Sequence, residues 1–442
     1  MTYIPNTPQE QAEMLSAMGK RCVTELFDAI PEALRLARPL DLPPALTEPE
    51  LLDRAQRLAD ANTVYPSCLR GAGAYRHFIP SAVRQLAARE EFVTAYTPYQ
   101  AELSQGILQA IFEYQSTVCA LTGMELSNAG VYDGAHAAAE AAAMFRDKKR
   151  GKILVSAAVK PGTLSVMQTY CDAAGSELLV IPAKNGVTDL AALAAALDAQ
   201  TAAVYAEQPN FYGLIEDCAA ITRLTQDAGA KMILGCSPTA LALLKTPGEY
   251  GADAAVGEAQ PLGLPLSFGG PYLGFMAVNN ADVRRLPGRI VGQTTDKNGE
   301  RAFVLTLQAR EQHIRREKAS SSICSNQALC ALTSTIYCAA MGKEGLKEVA
   351  RQCMAKAHYA ADMISAVPGF ALLFDGAFFH EFVTACPNAQ MAEKLLADHG
   401  ILGGLPIEAD GKSALLWCVT ECVRKEEIDR AVTLLKEVRE WN

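Results

Sequence analysis

The chain has 442 residues, 50% of them apolar and 20% charged, with a net charge of −9. Such a composition builds a large packed core and excludes wholesale disorder. No basic block is present, which argues against nucleic acid as a partner, and no apolar run approaches the roughly 18 residues of a membrane span.

The N-terminus, MTYIPNTPQEQAEML, has no Lys or Arg before Lys20 and no apolar stretch, so it does not read as a secretory signal. A cytoplasmic location is expected. The 13 cysteines are scattered without a C-x-x-C pair and are expected to be reduced and mostly buried. The six histidines, at 77, 136, 313, 358, 380 and 399, form no ligand spacing, so no metal is expected.

Thr7-Pro8-Gln9-Glu10 and Thr47-Glu48-Pro49-Glu50 each combine an N-cap, an early proline and a capping-box glutamate. They start two helices separated by the proline-rich ARPLDLPPALTEP, so residues 1–60 read as an N-terminal helical arm. Residues 60–100 are loop-rich, with YPSCLRGAGAYRHFIP and AYTPYQAE, and SQGILQAIFEYQSTVCALTGM reads as a helix.

Strands and helices alternate from 130 to 280. Strands are expected at Ile153–Val159, Leu178–Ala183, Ala202–Glu207, Lys231–Cys236, Ala254–Gly257 and Leu273–Val278. All are short continuous apolar runs of the kind buried on both faces. Helical patterns such as LSVMQTYCDAAG and DCAAITRLTQDAGA lie between them, which implies a mainly parallel sheet covered by helices. The segment 281–325 is basic and polar. Two helices, the strands ALLF, FFHEFVTAC and ALLWCVTE, and a last helix, EEIDRAVTLLKEVREW, then form a small C-terminal α/β domain. The expected domains are the arm at 1–60, a large α/β domain at 61–325 and the small domain at 326–442.

A large parallel-sheet domain followed by a small α/β domain resembles the fold type I, aspartate aminotransferase-like architecture of pyridoxal phosphate (PLP) transferases. That architecture carries a seven-stranded-type sheet sandwiched by helices. Fold alone does not assign function. A PLP site needs a lysine for the aldimine, an aspartate at the pyridinium nitrogen, a ring stacked on the cofactor and a helix N-terminus for the phosphate. GEAQPLGLPLSFGGP follows the strand where the lysine is expected and has none; Gln260 is a neutral amide. No aspartate occurs between Lys231 and Leu244, and ILVSAAVK has no ring. VYDGAHAAAEAAA brings Gly134 to a helix start, but Asp133 puts a carboxylate there that stabilises the helix and repels a phosphate. Lys160, Lys231 and Lys245 are the other possible aldimine lysines, and none is favoured. Together these features describe a PLP-enzyme shape with a cofactor site that lacks its chemistry.

Longer motifs make the resemblance specific. GAGAYRH at 71–77, YTPYQAELSQG at 96–106, LTGMELSNAGVYDGA at 121–135, QPNFYG at 208–213, GEAQPLGLPLSFGGPYLGF at 257–275 and GRIVGQTTDKNGERAFVLTLQAREQHIRREKASSSICSNQAL at 288–329 span nearly the whole chain. They resemble subunit 1 (the α subunit) of the glycine cleavage system P-protein, glycine dehydrogenase (decarboxylating), in its two-chain bacterial form. The resemblance implies that the paralogous catalytic chain carries an H-K-T motif where Ala259-Gln260-Pro261 stands here. It therefore implies no cofactor on this chain and PLP on a partner subunit 2. It further implies an α2β2 heterotetramer and transfer of an aminomethyl group to the lipoyl arm of H-protein.

Candidate contributions to the partner's site or the lipoyl channel are Tyr75, His77, Tyr96, Tyr99, Arg310, His313 and Arg315, within a basic segment that also holds Arg289, Arg301, Arg316 and Lys318. Arginines there suit carboxylates. Two other readings stand beside this one: a purely structural scaffold in the same complex, and a stand-alone PLP-dependent enzyme using an unexpected lysine.

Overall fold

The computed structural model describes residues 5–36, 38–93, 95–319, 321–323 and 326–438. The chain divides into two compact units, 1–63 and 64–442. In the first, helices α1 (Pro8–Ala17) and α2 (Glu48–Asp60) both begin in capping boxes closed by Glu10 and Glu50. The apolar side chains of α2 are solvent-facing, with Leu51, Leu52 and Leu58 all more than half exposed.

The second unit opens with β1 (Ser67–Cys68), α3 (Ser81–Ala87) and the long α4 (Gln105–Thr122), which ends in a left-handed Gly123. There follow β2 (Leu126–Ser127), α5 (Gly134–Phe145), β3 (Lys152–Ser156), α6 (Pro161–Ala173), β4 (Leu178–Ile181), a small hairpin of β5 (Ala183–Lys184) and β6 (Val187–Thr188), and α7 (Leu190–Ala196). The series continues with β7 (Thr201–Gln208), α8 (Cys218–Asp227), β8 (Lys231–Cys236), β9 (Ala254–Glu258) and β10 (Gly274–Val278). The seven strands of the main sheet run in the order β2-β10-β9-β8-β7-β3-β4. Its β4-β3-β7-β8-β9 portion is parallel, and β10 and β2 add antiparallel pairs at one side.

The continuous apolar runs have a physical cause. Ile153, Val155, Tyr205, Ile233 and Val256 pack towards α5 and α6 in one core, whereas Leu154, Val204, Met232 and Leu234 face a second core with residues of α7 and α8. Successive side chains point to opposite faces, and both faces of β3, β7, β8 and β9 are covered, so their central positions are apolar.

The basic and polar segment is ordered over residues 290–315. It folds as an antiparallel hairpin, β11 (Ile290–Thr295) and β12 (Arg301–Thr306), followed by the short helix α9 (Gln312–Arg315). Val291, Phe303 and Leu305 are buried against α4, while Gly292, Ala302, Val304 and Thr306 between and beside them are half-buried. The two helices expected after it are present, running through Ala328–Ser365 and divided by a kink at Gly342, where φ is +61°; together they are labelled α10. The chain ends with β13 (Ala371–Leu372), β14 (Glu381–Ala385), α11 (Ala389–Asp398), β15 (Ile401–Leu402), β16 (Leu405–Ala409), β17 (Lys412–Cys418) and α12 (Lys425–Leu435). The second sheet runs β13-β14-β17-β16, and β1 pairs with β15, which ties the start of this unit to its end. Among the described residues no helix is long and apolar enough to cross a membrane. The twelve described cysteines are free thiols, and Cys22 alone among them is exposed.

Leu154 is fully buried at the centre of the second core. Leu154→Ala should cost about 2–5 kcal/mol in urea unfolding. Leu179→Ala, on the side strand β4 where Leu179 is 37% exposed, should cost well under half of that.

Candidate functional site

The parallel strands end at a cavity of about 340 Å³. Its wall is built from the 71–75 loop, the starts of α5 and α6, the ends of β7, β8 and β9, and His380 and Glu381 beside β14. Crevices at the carboxyl ends of parallel strands are where α/β folds bind ligands.

At the α5 side the chain supplies its own anions. Glu258, at the end of β9, accepts three backbone N–H bonds: from Gly134 at 3.0 Å, Gln260 at 2.8 Å and Leu273 at 2.9 Å. Asp133 caps the same helix by accepting from the His136 N–H at 2.8 Å. A helix N-terminus that would otherwise attract an external anion is thus occupied by two carboxylates. Gly134 is required for this closeness, because a Cβ there would lie 2.9 Å from the Glu258 nitrogen. Burial pushes the Glu258 carboxyl above its ordinary range, opposed by its three N–H donors.

Gln260 is 1% exposed and fully engaged. Its carbonyl accepts from the Tyr75 N–H at 2.9 Å, and its amide donates to the carbonyls of Tyr75 at 2.9 Å and Leu264 at 2.8 Å. The GAGAYRH motif is therefore pinned to the loop after β9 by one amide side chain.

On the opposite side lies a network absent from the sequence reading. The Lys160 Nζ is 3.0 Å from Glu207 Oε2, and the Tyr205 hydroxyl donates to Glu207 Oε1 at 2.8 Å. Glu381 accepts from the Ala72 N–H at 2.6 Å and the Tyr75 hydroxyl at 2.8 Å. Burial pushes the Glu381 carboxyl up to about 7, against those two donors and the Lys160 charge. Burial alone would weaken the Lys160 ammonium, but Glu207 and Glu381 outweigh it and hold its pKa above the usual lysine range. His380 is pushed down to about 3 by burial, with His77 and Lys160 adding to the effect.

The candidates read from the sequence fall into three places. Tyr75 lines the cavity and is buried on Glu381. His77 is also buried; its Nδ1 lies 2.7 Å from Glu421, whose carboxylate also accepts from the Phe78 N–H at 2.7 Å. Burial opposes the charge on Glu421, but His77, the Phe78 N–H and the Cys353 thiol outweigh it and hold the carboxyl down at about 2. His77, Cys353 and Glu421 place possible ligand atoms within 4.8 Å of one another, a grouping that no sequence spacing could reveal.

The second place is around Tyr99, which is half exposed. The fully buried Arg289 donates to its hydroxyl at 2.7 Å, and the guanidinium lies 5.2 Å from the ring centre. Glu311 sits 3.6 Å from Arg289 Nε and 3.5 Å from the His313 ring, and His313 meets Tyr99 edge-on at 6.0 Å. Among the described residues, Arg289 Nε and Nη1 and one Glu311 oxygen have no hydrogen-bond partner. Tyr96 is 91% exposed.

The third place is structural. Arg310 spends its guanidinium on the carbonyls of Leu286, Gly288 and Leu307, and burial lowers its pKa. Arg315 is exposed and donates to the Ala309 carbonyl at 3.0 Å. The structure therefore joins Tyr99 to His313 through Arg289 and Glu311, and gives Arg310 and Arg315 backbone partners.

The raised Glu381 pKa has a stability consequence with a definite sign. Its carboxyl binds a proton more tightly folded, at about 7, than at its ordinary 4.5. Its contribution therefore favours the fold below about pH 4.5 and is lost as pH rises to about 7, a loss of about 3 kcal/mol. Glu381→Gln cannot titrate, so its unfolding free energy across that window should fall less than the wild type's by about that amount. Parallel curves in urea at each pH would contradict the assignment.

Comparison with known proteins agrees with this construction. A relative in Moorella thermoacetica, called probable glycine dehydrogenase (decarboxylating) subunit 1, is 53% identical over 99% of this chain and 100% of its own. One of the same description in Desulfitobacterium hafniense is 50% identical over 99% and 100%. A crystal structure of glycine decarboxylase (P-protein) of the glycine cleavage system, in inhibitor-bound form, superimposes with a TM-score of 0.91 at 42% identity, covering 99% of this chain and 100% of that one. The sphingosine-1-phosphate lyase of Burkholderia pseudomallei matches with a TM-score of 0.66 at 15% identity, covering 92% and 94%, and shares the fold alone. The family model described as glycine cleavage system P-protein matches residues 1–435, and the chain belongs to that family.

Proposed function

We propose that this chain is the non-PLP-binding subunit of a two-chain glycine dehydrogenase (decarboxylating). PLP resides on a partner subunit 2, and the pair assembles as an α2β2 heterotetramer in the cytoplasm. With that partner it serves glycine decarboxylation and transfer of the aminomethyl group to the lipoyl arm of H-protein. The names of the relatives support the subunit assignment.

The observation that carries the cofactor-free reading is the pairing of Gln260 with Glu258. The residues present do not fit PLP. The amide at 260 offers no amine and is held by three hydrogen bonds, and the α5 N–H groups that would hold a phosphate face Glu258 and Asp133. An arriving phosphate would meet two carboxylates at short range.

In this reading the chain's own contribution lies at its surface. Arg289 and Glu311 position the Tyr99 phenol, and Tyr96 and His313 flank it at the mouth of the partner's site or along the lipoyl path. Arg289 is buried, and among the described residues its Nη1 has no hydrogen-bond partner while its Nε has only the 3.6 Å ion pair with Glu311, which suits an acceptor delivered by the partner or its substrate. The fully exposed Phe268 sits at φ +54°, a strained conformation for an aromatic residue, and is read as an anchor for the partner. The N-terminal arm, with its exposed leucines, is read as a second contact.

Borohydride reduction of the reconstituted complex with PLP, followed by peptide mass mapping, tests the division of labour. The reduced adduct is expected on the partner alone, and an adduct on any lysine of this chain would overturn the reading. Tyr99→Phe removes one hydrogen bond to a charged group. It should lower glycine–bicarbonate exchange about tenfold while leaving assembly by size-exclusion chromatography unchanged. Unchanged exchange favours the scaffold role.

A further inference from the structure

Outside the cavity at the strand ends, the fold gathers three side chains of metal-binding type from three separate elements. His77 comes from the GAGAYRH loop, Cys353 from α10 beyond Gly342, and Glu421 from the turn after β17. His77 Nδ1 lies 2.7 Å from Glu421 Oε2, and the Cys353 thiol donates to the same oxygen at 3.3 Å. All three ligand atoms lie within 4.8 Å of one another. Cys353 is fully buried, and the His77 and Glu421 side chains are 3% and 12% exposed. Among the described residues His77 Nε2 has no hydrogen-bond partner, so this buried imidazole is only half satisfied. Neighbouring groups orient the carboxylate. Its Oε1 accepts from the Phe78 N–H at 2.7 Å and from the Cys422 thiol at 3.5 Å, while Lys356 donates to the Glu421 carbonyl at 2.5 Å rather than to a ligand atom.

The donor types decide the ion. Magnesium and calcium take oxygen ligands, whereas zinc takes thiolate, imidazole and carboxylate together. A Cys353 thiolate and the Glu421 carboxylate balance the two charges of the ion, and a neutral assembly is what a buried site tolerates. Zinc bonds of about 2.0–2.3 Å at tetrahedral angles place ligand atoms about 3.4–3.6 Å apart, so the nitrogen–oxygen pair opens by about 0.7 Å and the sulfur–oxygen pair by about 0.3 Å. We propose that His77, Cys353 and Glu421 form a zinc site, with water as the fourth ligand. On binding, the Cys353 thiol releases its proton to solvent, His77 bonds through the Nδ1 lone pair with its proton on Nε2, and Glu421 stays ionised. The ion clips the GAGAYRH loop to α10 and to the end of β17. The sequence expectation of no metal rested on local spacing, and 344 positions separate His77 from Glu421. The site is independent of the subunit role proposed above and needs neither PLP nor a partner.

The experiment is titration of the purified, untagged full-length chain with Co²⁺ under reducing conditions, followed by displacement with Zn²⁺. One Co²⁺ per chain is expected, with a thiolate-to-cobalt charge-transfer band that one equivalent of Zn²⁺ bleaches. X-ray absorption of the zinc form should count one sulfur and three nitrogen or oxygen ligands. Cys353→Ser should abolish the charge-transfer band and weaken Zn²⁺ at least about a hundredfold, while Cys422→Ser leaves both unchanged. Because a change at a buried thiol can disturb folding, the sulfur count is taken on the wild-type chain and depends on no variant. Absence of the band, a count of no sulfur or of two or more, or a band lost in Cys422→Ser and kept in Cys353→Ser would each overturn the site.

Discussion

Everything around the candidate site depends on where one buried carboxylate goes. Glu258 leaves the end of β9 and collects N–H groups from the start of α5, from the loop after β9 and from the residue before β10. The start of α5, 124 positions away, is thus held at one point with the two ends of the β9–β10 loop. A buried carboxylate is tolerated only when donors surround it, and here the donors are backbone groups that cannot be lost by substitution. Gln260 extends the tie to the 71–77 loop, and Glu381 extends it to the second sheet through Ala72 and Tyr75.

Two polar systems of different character result. The internal one, with Lys160, Glu207, Tyr205, Tyr75 and Glu381, is closed and mutually satisfied apart from His380. The one around Tyr99 reaches the surface, and its buried guanidinium keeps unpaired donors. A closed network stiffens the molecule, whereas an open one beside an exposed ring is equipped to meet another molecule.

Much of the large α/β unit was legible because its strands are buried on both faces. Runs such as Lys231–Cys236 then read as continuous apolar text. The β11–β12 hairpin was not, since its strands are short, β11 ends in polar residues, and the surrounding segment is rich in Arg and Lys. The two helices on either side of Gly342 were legible, because a glycine inside a helical pattern marks a break and here takes φ +61°. At the site, the missing lysine at 260 and the Asp133 cap were visible locally. Glu258 was not recognised, because its first partner, Gly134, is 124 positions away and is a backbone group. Arg289 looked like one member of a solvated charge run, and only the fold shows it to be buried beneath Tyr99. His380 and Glu381 lay inside FFHEF, which reads as strand and nothing more.

The Gln260 tie also has an evolutionary consequence. Placing a lysine at 260 would remove the acceptor of the Tyr75 N–H and bury an ammonium among groups arranged for an amide. The α5 start would still be filled by Glu258, and removing that carboxylate would orphan three backbone N–H groups at once. Each step towards a Schiff-base site thus weakens the fold before any new activity could be selected. A Schiff-base site here would therefore need simultaneous changes at 258, at 260 and in the 71–77 loop, not a single substitution.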